Sequence, residues 1–138
     1  MKAICTSKPD LVHDKYPAIS RYSSAQEMLA SEKVDLIVIT APNVWHYSLA
    51  KMCIENKLPV VLEKPMVTSS KEAQDLVDLA KKHSVLLSVF HNRRWDGDFL
   101  SAKSIIEQQR LGTVRFFESH FDRFRPLVRQ RWKEEPGP

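Results

Sequence analysis

Glu63, Lys64 and Pro65 form the stretch whose residue types are best suited to chemistry. They follow directly on Pro59–Leu62, an apolar run typical of a buried strand. Burial at a strand end favours the neutral amine of a lysine, and a neutral amine can accept and return a proton. Glu63 would then orient Lys64 or bind a ligand hydroxyl, and Pro65 would fix the direction of the chain. The alternative is a surface ion pair between Glu63 and Lys64 at the end of a strand.

Two further groups of side chains are candidates for ligand contacts. Asn43 and His46 lie near the start of a predicted helix, where His46 either hydrogen-bonds a ligand or is a partly exposed helix histidine. The segment His91–Trp95 places Arg93 and Arg94 beside an aromatic ring. Adjacent guanidinium groups suit a phosphate or a sugar acid. The alternative for this segment is two solvated charges at a strand end.

The elements that must position these groups are strands alternating with helices. Apolar, β-branched runs predict strands, and capping residues before a helical apolar period predict helices. The predicted strands are Lys2–Thr6, Val34–Thr40, Leu58–Leu62 and Val85–Phe90, and the predicted helix N-caps are Ser24, Asn43 and Ser69. A polar loop is expected between the first strand and the first helix. Strands that are apolar on both faces and separated by helices predict an α/β protein with a parallel sheet covered by helices.

In such sheets, ligands bind outside the carboxyl ends of the strands. This rule selects Thr40–Asn43, Glu63–Pro65 and His91–Trp95. The first strand ends in Thr6–Lys8, where an acid would bind the ribose 2′-hydroxyl in a dinucleotide-binding sheet. Two hydroxyls and a cation suit a 2′-phosphate instead. This composition favours NADP over NAD, and the alternative is a simple polar loop.

The pattern changes towards the end of the chain. Asp98–Arg110 has the apolar period of a helix, and Gly112 follows it in a position typical of a helix C-cap. Thr113–Asp122 is strand-like and amphipathic, which predicts the first strand of a different sheet. The predicted domains are therefore an NAD(P)-binding domain over residues 1–112 and the beginning of a C-terminal α/β domain over residues 113–138.

Composition excludes several classes of protein. The 138 residues carry a net charge of +4, which is too small and too dispersed to indicate nucleic-acid binding. No apolar run approaches the roughly 18 residues that span a bilayer, and no signal peptide is recognised, so a cytoplasmic protein is expected. Cys5 and Cys53 are expected to be buried free thiols. No metal site is expected, because ligand spacing is lacking among His13, His46, His83, His91 and His120.

Taken in order, three stretches resemble the Gfo/Idh/MocA family of NAD(P)-dependent oxidoreductases. They are Val34–Asn43 followed by His46, then Glu63–Pro65, then His91–Trp95. The resemblance spans nearly the whole chain and is most specific at the second stretch. It implies a partial Rossmann-type parallel sheet with flanking helices, followed by the start of an α+β C-terminal domain. It also implies that the full-length form is a homo-oligomer.

The resemblance assigns roles to individual residues. In the family, the lysine of the Glu-Lys-Pro motif handles the proton, so Lys64 would be the acid/base in hydride transfer between a nicotinamide cofactor and a sugar- or polyol-like substrate. The cofactor would be NADP in preference to NAD. The residues expected to bind it are Thr6, Ser7, Lys8, Ala41, Pro42, Asn43, His46, Glu63, Lys64, Pro65, Asn92 and Arg94.

The sequence departs from the family pattern at both ends. The family begins with a strand and a Gly-x-Gly-x-x-Gly turn that holds the pyrophosphate, and here no glycine precedes Gly97. The family's second domain supplies an Asp and a His to the site, and the sequence is expected to stop short of them. We therefore expect the isolated chain to bind NADP weakly, to lack turnover, and to have unpaired strand edges and bare apolar surface. The alternative is a non-catalytic remnant that acts as a binding or oligomerisation module.

Overall fold

Strands and helices alternate along the protein in a computed structural model that describes residues 1–13 and 15–127. Contacts divide the chain into a first unit, Met1–Phe90, and a second unit that begins at His91. The first unit contains β1 (Ala3–Cys5), α1 (Asp10–His13), β2 (Ser20–Tyr22), α2 (Ala25–Ser31), β3 (Ile37–Ile39), a 3-10 helix (Asn43–Trp45), α3 (His46–Glu55), β4 (Val60–Leu62), α4 (Ser70–His83) and β5 (Leu87–Val89). The second contains a 3-10 helix (Asn92–Trp95) and α5 (Gly97–Glu107).

The five strands pair in parallel, in two sheets. β1 pairs with β2, with Ile4 opposite Arg21. β4 lies between β3 and β5, with Val61 opposite both Val38 and Ser88. α3 connects β3 to β4, and α4 connects β4 to β5. The predicted α/β class is therefore confirmed, since the fold is a Rossmann-like arrangement of parallel strands and flanking helices.

The core lies on one face of the β3-β4-β5 sheet. It is formed by buried side chains from both strands and helices: Ile37, Ile39, Val60, Leu62, Ala50, Cys53, Ile54, Leu76 and Ala80. Alternate strand residues point to the opposite face of the sheet. On that face Val38 is 61% exposed, Leu86 is 62% exposed and Leu36 is 46% exposed. Parallel sheets are normally covered on both sides. The exposure of these apolar side chains therefore confirms the expected bare apolar surface on this face.

Helix starts follow the predicted pattern only in part. Ser24 caps α2, and its hydroxyl accepts a hydrogen bond from the Glu27 amide at 3.4 Å. Ser69 is the N-cap residue of α4, as predicted, although its side chain makes no capping hydrogen bond. α4 is amphipathic, with Leu76 and Ala80 buried, and its last turn is basic, which suits the helix dipole.

Two segments differ from the expected secondary structure. The segment after β1, expected to be a loop, contains α1 and β2. The residues Ser20–Tyr22 lack the apolar run that predicts a strand, and they form one because they pair with β1. In the second unit, the predicted strand Thr113–Asp122 is wrong, since the structure has no strand there. A strand needs a neighbour for its backbone hydrogen bonds, and the described residues give it none. The predicted boundary at residue 112 stays a prediction, and residues 128–138 of the second predicted domain lie outside the described part.

The two thiols differ in environment. Cys53 is buried in the core, as expected, and burial raises its pKa to about 11. Cys5 is exposed, so the expectation of a buried thiol is wrong. It ends β1 in the small two-stranded sheet, which covers it only in part. Partial burial and the charge of Glu27 still raise the pKa of Cys5.

None of the described helices has both the length and the apolar character to span a membrane. Within residues 1–13 and 15–127, no group of three or more His, Cys, Asp and Glu side chains could hold a metal ion.

Candidate functional site

The loops that follow β3 and β4 lie side by side at one edge of the sheet. The two strands are parallel neighbours, so their carboxyl ends meet. The ladder continues past them, because the Glu63 amide donates to the Ile39 carbonyl at 2.9 Å. This pairing brings Ala41–Asn43 and Glu63–Pro65 together, as the positions of the predicted strands required.

The buried side chain of His46 connects these two loops by hydrogen bonds to main-chain carbonyl groups in each. Its side chain is 1% exposed, the only fully buried polar residue among those described. Nδ1 lies 2.9 Å from the carbonyl oxygen of Pro65 and 3.2 Å from that of Met66, and Nε2 lies 2.9 Å from the carbonyl oxygen of Ala41. Both ring nitrogens therefore have main-chain carbonyl groups as hydrogen-bond partners. The predicted contact between His46 and a cofactor stays a prediction.

Glu63 and Lys64 do not form the surface ion pair that was the alternative. Glu63 instead accepts a hydrogen bond from the Lys64 backbone amide, with its Oε2 at 2.7 Å. The described ion pairs include none between these two side chains. Lys64 is exposed and the peptide bond to Pro65 is cis. The expected burial of Lys64 at the strand end is wrong for the chain by itself, because nothing described covers its side chain.

Pro42 and Asn43 begin the 3-10 helix that leads into α3. The Pro42 carbonyl accepts a hydrogen bond from the Trp45 amide at 2.9 Å, and Pro42 occupies the N-cap. The prediction that Asn43 caps a helix is therefore wrong. Asn43 is half-buried next to the Ala41–Pro42 turn, and its contact with a cofactor stays a prediction.

Thr6, Ser7 and Lys8 follow β1 in the two-stranded sheet, apart from the paired loops of β3 and β4. The Thr6 hydroxyl accepts a hydrogen bond from the Lys8 amide at 3.2 Å, which forms a small turn. Ser7 and Lys8 are exposed. Their side chains are therefore available for a phosphate, and their contact with a cofactor stays a prediction.

Asn92 and Arg94 belong to the second unit. Both are exposed in the 3-10 helix Asn92–Trp95. The neighbouring Arg93 is engaged within that unit, because its guanidinium pairs with Asp96 at 2.5 Å and lies 5.5 Å from the centre of the Phe121 ring. Of the two predicted anion-binding arginines, Arg94 is thus the one without a described ion pair. Its contact with the cofactor, like that of Asn92, stays a prediction.

Sequence reasoning missed two features near the site. The carbonyl groups of Ala41, Pro65 and Met66 bind His46, and main-chain acceptors leave no signal in residue type. Tyr47 donates a hydrogen bond from α3 to Asp75 of α4. This hydrogen bond lowers the pKa of Asp75, and the nearby Lys51 amine contributes to the same shift.

Comparisons with known proteins give a consistent result. A family model described as an oxidoreductase family with an NAD-binding Rossmann fold matches residues 4–91. The chain is 44% identical over 138 residues to the uncharacterized oxidoreductase YdgJ of Escherichia coli, covering all of this chain and 40% of the relative. It is 35% identical over 134 residues to the scyllo-inositol 2-dehydrogenase (NADP(+)) IolW of Bacillus subtilis, covering 97% of this chain and 37% of the relative.

A solved structure shares the fold. The putative oxidoreductase YPO2259 of Yersinia pestis superposes with a TM-score of 0.88 at 42% identity. The match covers 97% of this chain and 38% of that one. The sequence therefore spans about 40% of the length of the curated relative YdgJ, with a similar share of the others.

Proposed function

The chain belongs to the NAD-binding Gfo/Idh/MocA oxidoreductase family, and on that premise we propose that the loops after β1, β3 and β4 bind a nicotinamide dinucleotide for hydride transfer. The substrate would be a sugar or polyol. Lys64 would handle the proton of the reacting hydroxyl. The name of one relative, a scyllo-inositol 2-dehydrogenase, supports a polyol substrate.

The observation that carries this proposal is the position of Lys64. Its amine is exposed at the carboxyl edge of the sheet, and its loop adjoins that of Ala41–Asn43. The nicotinamide, when bound, supplies the acceptor for the hydride that leaves the alcohol carbon. The neutral amine of Lys64 takes the hydroxyl proton as the carbonyl forms, and the ammonium returns it in the reverse direction. Because Lys64 is exposed in the chain alone, the bound substrate and cofactor must supply the desolvation that favours the neutral amine.

We further propose that the loop after β1 prefers the 2′-phosphate of NADP. Lys8 offers a cation, and Ser7 an exposed hydroxyl. The segment Thr6–Lys8 itself contains no acidic residue. The name of the relative IolW, which specifies NADP(+), supports this preference.

Fragments of the cofactor test the two halves of the site separately. In backbone-amide NMR spectra, nicotinamide mononucleotide should shift the signals of Ala41, Asn43, Glu63 and Lys64. Adenosine 2′,5′-bisphosphate should shift those of Thr6, Ser7 and Lys8 more than adenosine 5′-monophosphate does. Shifts that scatter away from the strand ends would refute the proposal.

Matched lysine variants sharpen this experiment. Lys8→Ala should abolish the extra shift from the 2′-phosphate, whereas the same change at Lys71, an exposed lysine at the start of α4, should leave it unchanged. We also expect weak binding of NADPH and no hydride transfer by the isolated chain. Saturable binding at micromolar NADPH together with turnover would contradict that expectation.

A second candidate function is a non-catalytic oligomerisation module. The exposed aromatic side chains of the second unit favour it, since Phe116 is 79% exposed and Phe121 is 65% exposed. Such side chains mark an interaction surface where they form a contiguous patch. Sedimentation of the chain over a range of concentrations tests the idea, and a monomer at all of them would reject it.

A further inference from the structure

The contacts of His46 do not match a neutral imidazole. A neutral ring has one N–H donor and one nitrogen lone pair. Carbonyl oxygens only accept hydrogen bonds, yet carbonyl oxygens lie 2.9 Å from both ring nitrogens, with Ala41 on one side and Pro65 on the other. A third, that of Met66, lies 3.2 Å from Nδ1. In a neutral ring, one of these oxygens would face a lone pair at hydrogen-bond distance, which is repulsive.

We propose that His46 is a positioning residue for Lys64, held as an imidazolium whose two N–H groups tie the loop after β3 to the loop after β4. Nε2–H donates to the Ala41 carbonyl. Nδ1–H is shared between the Pro65 and Met66 carbonyls. The proposal deepens the proposed function, on which it rests for the role of Lys64.

The surroundings of the ring favour this arrangement over an ordinary buried histidine. Burying a charge is costly unless hydrogen bonds compensate for it, and three carbonyl oxygens surround the two N–H groups here. Hydrogen bonds from an ionised donor are about twice as strong as neutral ones. The position of His46 at the start of α3 acts in the opposite direction, because the positive end of a helix dipole repels a cation. The carbonyl oxygens must outweigh that repulsion.

The consequence for Lys64 follows from the chain. Pro65 is its immediate neighbour, so a fixed Pro65 carbonyl restricts where the Lys64 backbone can lie. The Ala41 carbonyl begins the other loop of the proposed nicotinamide site. One buried ring therefore sets the separation between the proton-handling residue and the loop facing it.

Nitrogen-15 NMR of the histidine rings tests the protonation directly. In a spectrum recorded at neutral pH on the 138-residue chain, both nitrogens of His46 should have the shift of a protonated ring nitrogen. His46→Gln identifies the signals by their loss. A spectrum with one protonated nitrogen and one lone-pair nitrogen would overturn the proposal. This measurement needs no cofactor, so its outcome does not depend on whether the proposed function is correct.

Hydrogen exchange tests the positioning. The amides of Trp45 and Glu63 are hydrogen-bonded in the two loops, and that of Val85 is hydrogen-bonded at the far end of α4. In His46→Gln, one neutral amide replaces two charged donors that point in opposite directions. We expect Trp45 and Glu63 to exchange about tenfold faster or more, with Val85 unchanged.

The same substitution at His83, in the last turn of α4, is the matched control and should change none of these rates. Equal acceleration of Trp45, Glu63 and Val85 would show general destabilisation and refute a positioning role. Should His46→Gln fail to fold, the spectrum of the unmodified chain decides the question by itself, with the His46 signals then assigned through bonds.

Discussion

Because only one face of the β3-β4-β5 sheet is buried, we expect the same Val→Ala substitution to lower the free energy of unfolding by very different amounts at two strand positions. Val60 in the central strand β4 is 0% exposed, whereas Val38 in β3 is 61% exposed on the opposite face. Val→Ala removes the same two methyl groups at both positions. The comparison therefore isolates how well each face is packed.

The magnitudes follow from burial. Each methyl group is worth about 0.8 kcal/mol when buried, and a cavity adds to that at a closed site. We therefore expect Val60→Ala to cost about 2–3 kcal/mol. At Val38, where about two-fifths of the residue is buried, the same deletion should cost about 0.6 kcal/mol. Strand propensity changes by a similar amount in both variants and largely cancels.

Urea unfolding followed by far-ultraviolet circular dichroism measures both costs. With a slope of about 1–3 kcal/mol per molar urea, Val60→Ala should unfold at a midpoint about 1 M lower than the unmodified chain. Val38→Ala should shift the midpoint by a few tenths of that. Equal costs at every protein concentration would refute the reasoning, because Val38 would then be packed within one chain. Equal costs at high concentration only would show that a second copy covers the face.

Two further predictions concern titrating groups. At pH 8, about one Cys53 thiol in a thousand is ionised, so iodoacetamide should label the exposed Cys5 and reach Cys53 only after unfolding. Mass spectrometry checks this, and labelling of native Cys5→Ser would contradict it. Because the Tyr47 hydroxyl lowers the pKa of folded Asp75, that contribution to stability is present above the unfolded pKa of about 3.9 and is lost as pH falls through the folded pKa. Asp75→Asn should therefore lower the melting temperature at pH 7, and the loss should shrink steadily as pH falls below about 3.9. A loss that stays constant as the pH is lowered would reject the pKa argument, with Asp78→Asn as the control.

Apolar runs were the most reliable signals in the sequence. Val34–Thr40, Leu58–Leu62 and Val85–Phe90 each contain a strand of the three-stranded sheet, since burial of these runs against α3 and α4 decides their structure. The strand Ser20–Tyr22 could not be found this way, because its pairing with β1 depends on a distant neighbour. Thr113–Asp122 shows the reverse case, in which a strand-like pattern lacks a partner among the described residues.

The site was predictable as far as side chains and strand order define it. The loop of Lys64 was expected at a strand's carboxyl end beside Ala41–Asn43, and the parallel pairing of β3 and β4 places it there. The burial of His46 was not predictable, because its partners are carbonyl groups that every residue possesses. The exposure of Lys64 was missed for a related reason, since a strand end is buried only when another part of a protein covers it.

The uncovered face of the sheet also has a thermal consequence. Unfolding raises the heat capacity mainly by bringing apolar surface into water, typically about 12–15 cal/mol/K for each residue. Leu36, Val38 and Leu86 are already partly in contact with water in the folded chain, so their transfer contributes less to that increase than fully buried side chains would. The stability of this chain should therefore vary with temperature along a flatter curve than that of a doubly covered sheet of equal length. Cooling would then weaken its folded state less than it weakens a domain with a complete core.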